Sequence, residues 1–213
     1  MKNIGFKRVL ILSPHTDDGE LGMGGTIASL IDQDVDVYIY AFSNASRSLS
    51  KDLPENTLEI EFRKAMKVLG IKKNNAFIGN HEVRTFTYHR QEILDKMIEL
   101  RKSINPDLVF LPSTKDIHQD HQVISNEGLR AFKTRCLLGY ELPWNNISFP
   151  TNCFHILERK HIDKKIEALS CYQTQKYRSY LNPEFIQSLA ITRGTQIQVK
   201  YAEAFEIIRW ILS

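Results

Sequence analysis

The chain contains little cysteine, and its three cysteines, Cys136, Cys153 and Cys171, are odd in number. No two of them stand at the spacing of a metal-binding or redox pair. The pattern therefore argues against a disulfide framework. It predicts reduced thiols in a cytoplasmic protein.

Long apolar runs are absent as well. No stretch approaches the ~20 consecutive apolar residues that a membrane-spanning helix requires. The early run Val9-Leu10-Ile11-Leu12 is too short for the apolar part of a signal peptide, and polar residues follow it directly. We therefore expect neither a membrane span nor a secretory leader.

Neither sign of charge dominates, since 28 Lys and Arg residues oppose 25 Asp and Glu residues, for a net charge of +3. No dense basic stripe with interleaved aromatic residues occurs, which argues against a nucleic-acid partner. Internal repeats and low-complexity segments are also missing. A chain of 213 residues can bury a core without disulfides or structural metals, so we predict one domain over residues 1–213.

The sequence does contain apolar runs that alternate with helical patterns. Predicted strands cover residues 7–13, 35–42, 76–78, 108–111, 137–142 and 153–157. Predicted helices cover residues 24–33, 57–69, 90–104, a segment after His121, and residues 162–173, 183–192 and 202–212. This alternation predicts an α/β fold: a single-domain, Rossmann-like, mostly parallel sheet with helices on both faces.

Two polar clusters each follow one of the predicted strands. The first is Pro14-His15-Thr16-Asp17-Asp18, after the first strand, and the second is His118-Gln119-Asp120-His121, after the fourth. Imidazole and carboxylate groups are ligands of divalent metals. Because the carboxyl ends of parallel strands meet at one edge of a sheet, we expect the clusters to form one hydrolytic metal site. These residues do not show which aspartate binds the metal.

Simpler interpretations exist for parts of this pattern. Two aspartates before a helix are common as N-caps, and Asp17 and Asp18 alone favour that explanation. The glycines from Gly19 to Gly25 resemble a nucleotide loop but do not fit the register of either glycine-rich phosphate motif. We interpret them as allowing a helix to approach the sheet closely. Two histidines and an acid within four residues at the same edge favour the metal site.

Other polar and aromatic residues give weaker signals. The polar loop 43–56 follows the second strand and is predicted to be mobile and to influence specificity, with a solvated surface loop as the alternative. Arg47 and Arg84 are candidate contacts for an anionic group of the substrate, whereas Arg63 is expected on a solvated helix face. The remaining histidines and the tryptophans are expected in the core or on the surface: His81, His89, His155, His161, Trp144 and Trp210.

At the two clusters the chain resembles the PIG-L/LmbE-like N-acetylglucosaminyl deacetylase family. That family is marked by His-Pro-Asp-Asp after the first strand and His-x-Asp-His after a later one. Here Thr16 replaces the usual proline. The segment 22–26 (GMGGT) is similar to the start of the family's first helix, and residues 193–197 and 201–206 are similar to a subgroup that includes bacillithiol-type sugar deacetylases.

The resemblance implies a role for each residue of the clusters. It implies that His15, Asp18 and His121 hold a divalent metal, normally Zn²⁺, with Fe²⁺ as the alternative. It further implies that Asp17 is the general base, protonated His118 an electrostatic partner and Asp120 a residue that orients a histidine. The implied reaction is hydrolysis of the linear amide of an N-acetylglucosamine-type sugar, which releases acetate and a free amino sugar.

Two other classes of function compete with a zinc-dependent deacetylase. A nucleotide-binding α/β enzyme would use the glycine run, and a non-catalytic sugar-binding module would keep only the cavity. Asp17 beside a metal argues against the binding module, which has no need of a base. Phosphoesterases often use two metals, and the sequence offers ligands for one. The sequence leaves open which small-molecule amino sugar is the substrate and whether the chain forms a homo-oligomer.

Overall fold

A seven-stranded sheet runs through the structure, a computed structural model that describes residues 5–50 and 52–212. Residue 51, part of the predicted loop 43–56, lies outside the described residues. The strands are β1 (Arg8–Ser13), β2 (Asp36–Ala41), β3 (Ala76–Ile78), β4 (Leu108–Pro112), β5 (Cys136–Tyr140), β6 (Cys153–Leu157) and β7 (Tyr201–Arg209). The helices are α1 (Asp18–Ile31), α2 (Thr57–Leu69), α3 (Arg90–Ile104), α4 (Gln119–Ala131), α5 (Arg159–Leu169) and α6 (Pro183–Gln196).

The strand order is β3-β2-β1-β4-β5-β7-β6. The first five strands are parallel, and β7 is antiparallel to both of its neighbours. This confirms the predicted mostly parallel α/β sheet. From β1 the chain proceeds to β2 on one side, and β4 lies on the other side. The carboxyl ends of β1 and β4 therefore flank a topological switch point, where open α/β sheets bind ligands.

Apolar side chains cover both faces of the sheet, as β1 shows. Val9 and Ile11 pack on one face in a core with residues of α1, α2 and α5. Leu10 and Leu12 pack on the other face with residues of α3 and α4. Strands that are buried on both faces read as continuous apolar runs, which is why β1 could be recognised in the sequence. None of the helices within the described ranges is both long and apolar enough to cross a membrane.

The predicted helix over residues 202–212 is wrong, because this segment forms β7. Ala and Glu favour helices locally, and the segment is rich in both. In the structure β7 lies between β5 and β6, with Phe205 opposite Tyr140 and Ala202 opposite Ile156. All of its first six residues are buried. The pairing of β7 with strands on both sides therefore outweighs the local preference of its residues for a helix.

Most other predicted elements are present with shifted ends. The ranges predicted for α2, β3, α3 and β6 agree with the structure, while α1 and α4 begin earlier than predicted, at Asp18 and Gln119. Helix α5 ends at Leu169, before the predicted residue 173, and α6 continues to Gln196 beyond the predicted residue 192. The earlier starts matter for function because they place Asp18 and His121 in first helical turns.

The glycines of α1 allow the helix to pack directly against the sheet. A Cβ atom on Gly22 would lie 2.5 Å from the ring of Tyr140, and one on Gly25 would lie 2.6 Å from the Leu157 side chain. Protein side chains, not open space, face these positions. The structure thus agrees with the close-approach interpretation and offers no room for a phosphate cradle at the glycine run. The helix is also interrupted at Met23, whose φ of −148° is not helical.

Candidate active site

The two polar clusters meet because β1 and β4 are neighbours and end at the same edge. His15 lies in the loop after β1, and Asp18 is the first residue of α1. His121 lies in the first turn of α4, which His118 precedes as the N-cap. Three atoms form a triangle: the His15 Nδ1–Asp18 Oδ2 distance is 3.0 Å, the His121 Nε2–Asp18 Oδ2 distance is 3.3 Å, and the two nitrogens are 3.4 Å apart.

This triangle fits a divalent metal ion. Ligands at the usual zinc distances of about 2.0–2.2 Å in a tetrahedron are separated by about 3.3–3.6 Å, close to the separations of these atoms. Three protein ligands would leave one coordination position open. A ligand atom of His118 also lies within 4.8 Å of those of His15 and His121, so His118 is an alternative third ligand.

Each of the two histidines also contacts a further carboxylate through its other ring nitrogen. The Nε2 atom of His15 lies 3.0 Å from Asp120 Oδ2, and the Nδ1 atom of His121 lies 2.7 Å from Asp116 Oδ2. Such carboxylate–imidazole pairs fix the ring orientation and tautomer of metal-binding histidines. The structure thus pairs Asp120 with His15. Sequence reasoning missed Asp116, although an acid two residues before His118 was a usable signal.

The carboxylates also control the charge of the triangle. Burial by itself lowers the pKa of His15 and His121, but the charge of Asp18 and hydrogen bonds to Asp120 and Asp116 outweigh it. These carboxylates raise the pKa of His15 to about 9 and that of His121 to about 10. Burial would raise the pKa of Asp18, but His121 and His15 hold it well below its usual range. A metal ion that binds these nitrogens must therefore displace protons.

Asp17 borders the cavity next to the triangle, and its pKa is shifted in the opposite direction to that of Asp18. Burial, and then the charge of Asp18, raise the pKa of Asp17 to about 6. The side chain makes no hydrogen bond that caps α1. The explanation of Asp17 as an N-cap is therefore not supported, and its carboxylate is suited to exchanging a proton near neutral pH.

His118 is held as a neutral imidazole. Its Nδ1 atom accepts a hydrogen bond of 3.2 Å from the backbone N–H of Asp120, which leaves the ring proton on Nε2. Burial, with His121 and His15 nearby, lowers the pKa of His118. This differs from the protonated form that the resemblance implied. A neutral ring can still donate one hydrogen bond from Nε2.

A buried hydrogen-bond chain fixes the loop between His15 and Asp17. The Tyr172 hydroxyl donates to the carbonyl oxygen of Thr16 at 2.6 Å and also contacts Glu20. Burial outweighs the hydrogen bond from Tyr172 and raises the pKa of Glu20 to about 8. The sequence did not indicate the contact between Tyr172 and Glu20, because the two residues are distant along the chain.

A cavity of about 230 Å³ opens above the triangle. Asp17, His118 and Arg84 line it, and the backbone N–H of Arg84 donates to Asp120 Oδ2 at 2.6 Å. Residues from the predicted specificity loop 43–56 also reach the cavity. Arg47 is not among the lining residues, because its exposed side chain pairs with Glu82. Its predicted contact with the substrate stays a prediction.

The far wall of the cavity consists of residues that the sequence did not indicate. The rings of Trp144 and Tyr180 stack with centroids 4.0 Å apart and an interplanar angle of 12°. The guanidinium of Arg178 lies 5.6 Å from the centre of the Tyr180 ring. Trp144 therefore packs as expected, yet it also lines the cavity. No motif marks residues 178–180, which only the folded chain brings to the site.

Two curated relatives are named as deacetylases. The chain is 29% identical over 135 residues to diacetylchitobiose deacetylase of Thermococcus kodakarensis, across 59% of this chain and 49% of that protein. It is also 29% identical over 137 residues to a Bacillus cereus protein named "Probable N-acetyl-alpha-D-glucosaminyl L-malate deacetylase 2", across 59% of this chain and 60% of the relative. The chain thus spans only about half the length of the Thermococcus protein.

Solved structures show the same fold. N,N'-diacetylchitobiose deacetylase from Pyrococcus horikoshii superposes with a TM-score of 0.79 at 22% identity, over 96% of this chain and 84% of that chain. A 4-carboxy-2-hydroxymuconate hydratase from Pseudomonas putida superposes with a TM-score of 0.78 at 19% identity, over 97% of this chain and 98% of that one. Since the two proteins are named for different reactions, the fold alone does not identify the chemistry.

The match to a protein family rests on the segment that carries both clusters. The family model described as "PIG-L: GlcNAc-PI de-N-acetylase" matches residues 10–132, from β1 to the end of α4 and more than half of the chain. The chain therefore belongs to the PIG-L family.

Proposed function

We propose that the protein is a metal-dependent hydrolase that removes the N-acetyl group of an N-acetylglucosamine-type sugar. The products are acetate and a free amino sugar. The proposal is carried by the triangle of His15, Asp18 and His121, with Asp17 beside it at the cavity. Two relatives named as deacetylases support it.

The metal would be held by His15 Nδ1, Asp18 Oδ2 and His121 Nε2, with Zn²⁺ as the proposed ion and Fe²⁺ as the alternative. A divalent ion there would polarise the amide carbonyl and lower the pKa of the attacking water. Asp120 and Asp116 keep the two imidazoles oriented toward that position.

Asp17 would act twice on protons during the reaction. It accepts a proton from the water whose oxygen joins the acetyl carbon, and it later donates that proton to the sugar nitrogen as the C–N bond breaks. A pKa of about 6 suits both steps. His118 would donate its Nε2–H to the carbonyl oxygen as negative charge develops there.

The cavity walls suggest how the rest of the substrate is bound. We expect Arg84 and Arg178, which both line the cavity, to favour a substrate with an anionic group, because guanidinium groups form strong hydrogen bonds with carboxylates and phosphates. The exposed parts of Trp144 and Tyr180 would cover apolar faces of the sugar or of its substituent.

The thiols support the expected cellular setting. Cys136, Cys153 and Cys171 are all free, and Cys136 is buried. This fits the proposal of a cytoplasmic enzyme with a small-molecule substrate. The nucleotide-binding alternative is not favoured, since the glycine run is packed against side chains.

The deciding experiment measures acetate release from a panel of neutral and anionic N-acetylglucosamine derivatives. The protein is assayed as metal-loaded, as chelator-treated and as reloaded with Zn²⁺ or Fe²⁺. We expect release only with metal, and the fastest release from an anionic derivative. Metal-loaded protein that releases no acetate from any derivative would contradict the proposed reaction. Equal release after complete metal removal would contradict the proposed cofactor.

A further inference from the structure

We propose a second divalent-metal site, formed by His81, His89 and Glu92 outside the active-site triangle. His81 lies in the loop after β3, His89 ends the 3₁₀ turn Phe86–His89, and Glu92 lies in the first turn of α3. One ligand atom from each residue lies within 4.8 Å of the other two. From the sequence the two histidines were expected to be core or surface residues; the fold brings them together with Glu92.

The donor set indicates which ion the site would take. Two imidazoles and one carboxylate are a combination that binds Zn²⁺ in proteins. Hard ions such as Mg²⁺ and Ca²⁺ prefer sites built only from oxygen. Metal binding requires neutral imidazole, so the ion must compete with protons for the two histidines. Zn²⁺ is therefore the ion that this cluster fits.

An unsatisfied nitrogen supports the same interpretation. The Nδ1 atom of His89 is buried and has no hydrogen-bond partner, although Glu92 Oε2 lies 3.3 Å away. A buried polar atom without a partner costs free energy, and a metal bond or a proton shared with Glu92 would remove that cost.

The cluster can close around an ion with small side-chain movements. The rings of His81 and His89 have centroids 5.6 Å apart. The Glu92 side chain is 67% exposed, so it can change rotamer without disturbing the core. The His89 Nδ1–Glu92 Oε2 distance is 3.3 Å, already close to the ligand separation of a tetrahedral ion, and the ligand atoms of all three residues lie within 4.8 Å of one another.

Ring contacts and hydrogen bonds connect the proposed site to the active site. The ring of Phe86 lies between His81, with centroids 5.8 Å apart, and His15, with centroids 5.9 Å apart. The backbone N–H groups of Arg84 and Phe86 donate to Asp120. His81 and His89 lie at the two ends of residues 81–89, which include Arg84 of the cavity wall. An ion bound by both histidines would therefore fix this part of the wall.

The test is zinc stoichiometry by equilibrium dialysis and elemental analysis, with Co²⁺ absorption spectra as a second readout of ligand number. We expect two Zn²⁺ per wild-type chain. His89→Ala and Glu92→Gln should weaken one of the two sites more than about tenfold. Glu99→Gln is the matched control, because Glu99 lies on the same helix and is equally exposed. It should leave both sites intact.

Asp18→Asn separates this proposal from the proposed function. It should remove the active-site ion and leave the second ion bound, independently of any acetate measurement. A Zn²⁺ content that is the same in the wild type, His89→Ala and Glu92→Gln would overturn the proposal. Glu92 is exposed, so its substitution should not prevent folding, and a thermal melt of each variant verifies this.

Discussion

Two neighbouring aspartates show how position, not residue type, sets chemical role. Asp18 faces two imidazoles and is held ionised, whereas Asp17 faces Asp18 and the cavity and has a raised pKa. The sequence alone could not distinguish them. We propose that the first turn of α1 orients Asp18 as a metal ligand and Asp17 as a residue that moves protons.

Asp17→Asn should retain metal and lose most turnover. Asparagine has a similar size but cannot accept the proton, so we expect kcat to fall on the order of 10²–10⁴-fold. Acetate release and elemental analysis of the same sample provide the measurement. A rate near wild type with metal bound would show that another group is the base.

His118→Ala tests whether this ring contacts the substrate or the metal. If Nε2–H donates to the developing oxyanion, kcat should fall about 10²–10³-fold while the metal content stays unchanged. Loss of the metal would instead assign the ligand set His15, His118 and His121. Asp18→Asn is the matched comparison, because we expect it to lose metal under the same conditions.

At the scale of elements, hydrophobic periodicity predicted most strands and helices, and the strand ends predicted where the polar clusters lie. The strands flanking the switch point were recognisable, and the meeting of the two clusters followed from their carboxyl ends. The strand β7 was not recognisable, because its pairing with β5 and β6 overrides a helix-favouring composition. The wall formed by Arg178 and Tyr180 was equally hidden, since packing against Trp144 carries no local sequence signal.

The strand β7 contributes a buried ion pair that stabilises α1. The carboxylate of Glu203 accepts the backbone N–H groups of Gly25 and Thr26, just after the interruption at Met23. Lys165 of α5 lies 2.6 Å from the same carboxylate, and both side chains are at most 7% exposed. Glu203 thus acts as an N-terminal cap for the second part of α1.

Glu203→Gln should lower the free energy of unfolding by about 3–5 kcal/mol, because it leaves the charge of Lys165 buried without a partner. Urea denaturation measures the change. The control is Asp163→Asn, which breaks the Arg159–Asp163 pair, where both side chains are more than half exposed. We expect that control to change stability by less than about 1 kcal/mol. Similar losses in the two variants would refute the stabilising role of the buried pair.

For the molecule as a whole, metal binding and folding stability should be linked. The triangle joins the loop after β1 to the helix after β4, so an ion there stabilises only the folded state. Zinc at about 100 times its dissociation constant should add about 2.7 kcal/mol to the free energy of unfolding. For a chain of this size, that corresponds to a rise in Tm of roughly 5–10 °C.

Differential scanning calorimetry of chelator-treated and reloaded protein measures this rise. Asp18→Asn is the control, and its Tm should rise less with zinc than the wild-type Tm, because only the second proposed site can then bind an ion. A wild-type Tm that does not respond to zinc would mean that the triangle does not hold an ion in solution.

The place of β7 in the chain also has a consequence for biosynthesis. Glu203 caps α1 across 178 residues of sequence, and Glu206 binds Ser113 and Thr114 just after β4. The helix α1 and the loop after β4, which both carry residues of the active site, therefore make contacts with a strand that leaves the ribosome long after them. A nascent chain arrested before Tyr201 would expose the facing edges of β5 and β6, and we expect it to depend on chaperones until translation supplies the missing strand.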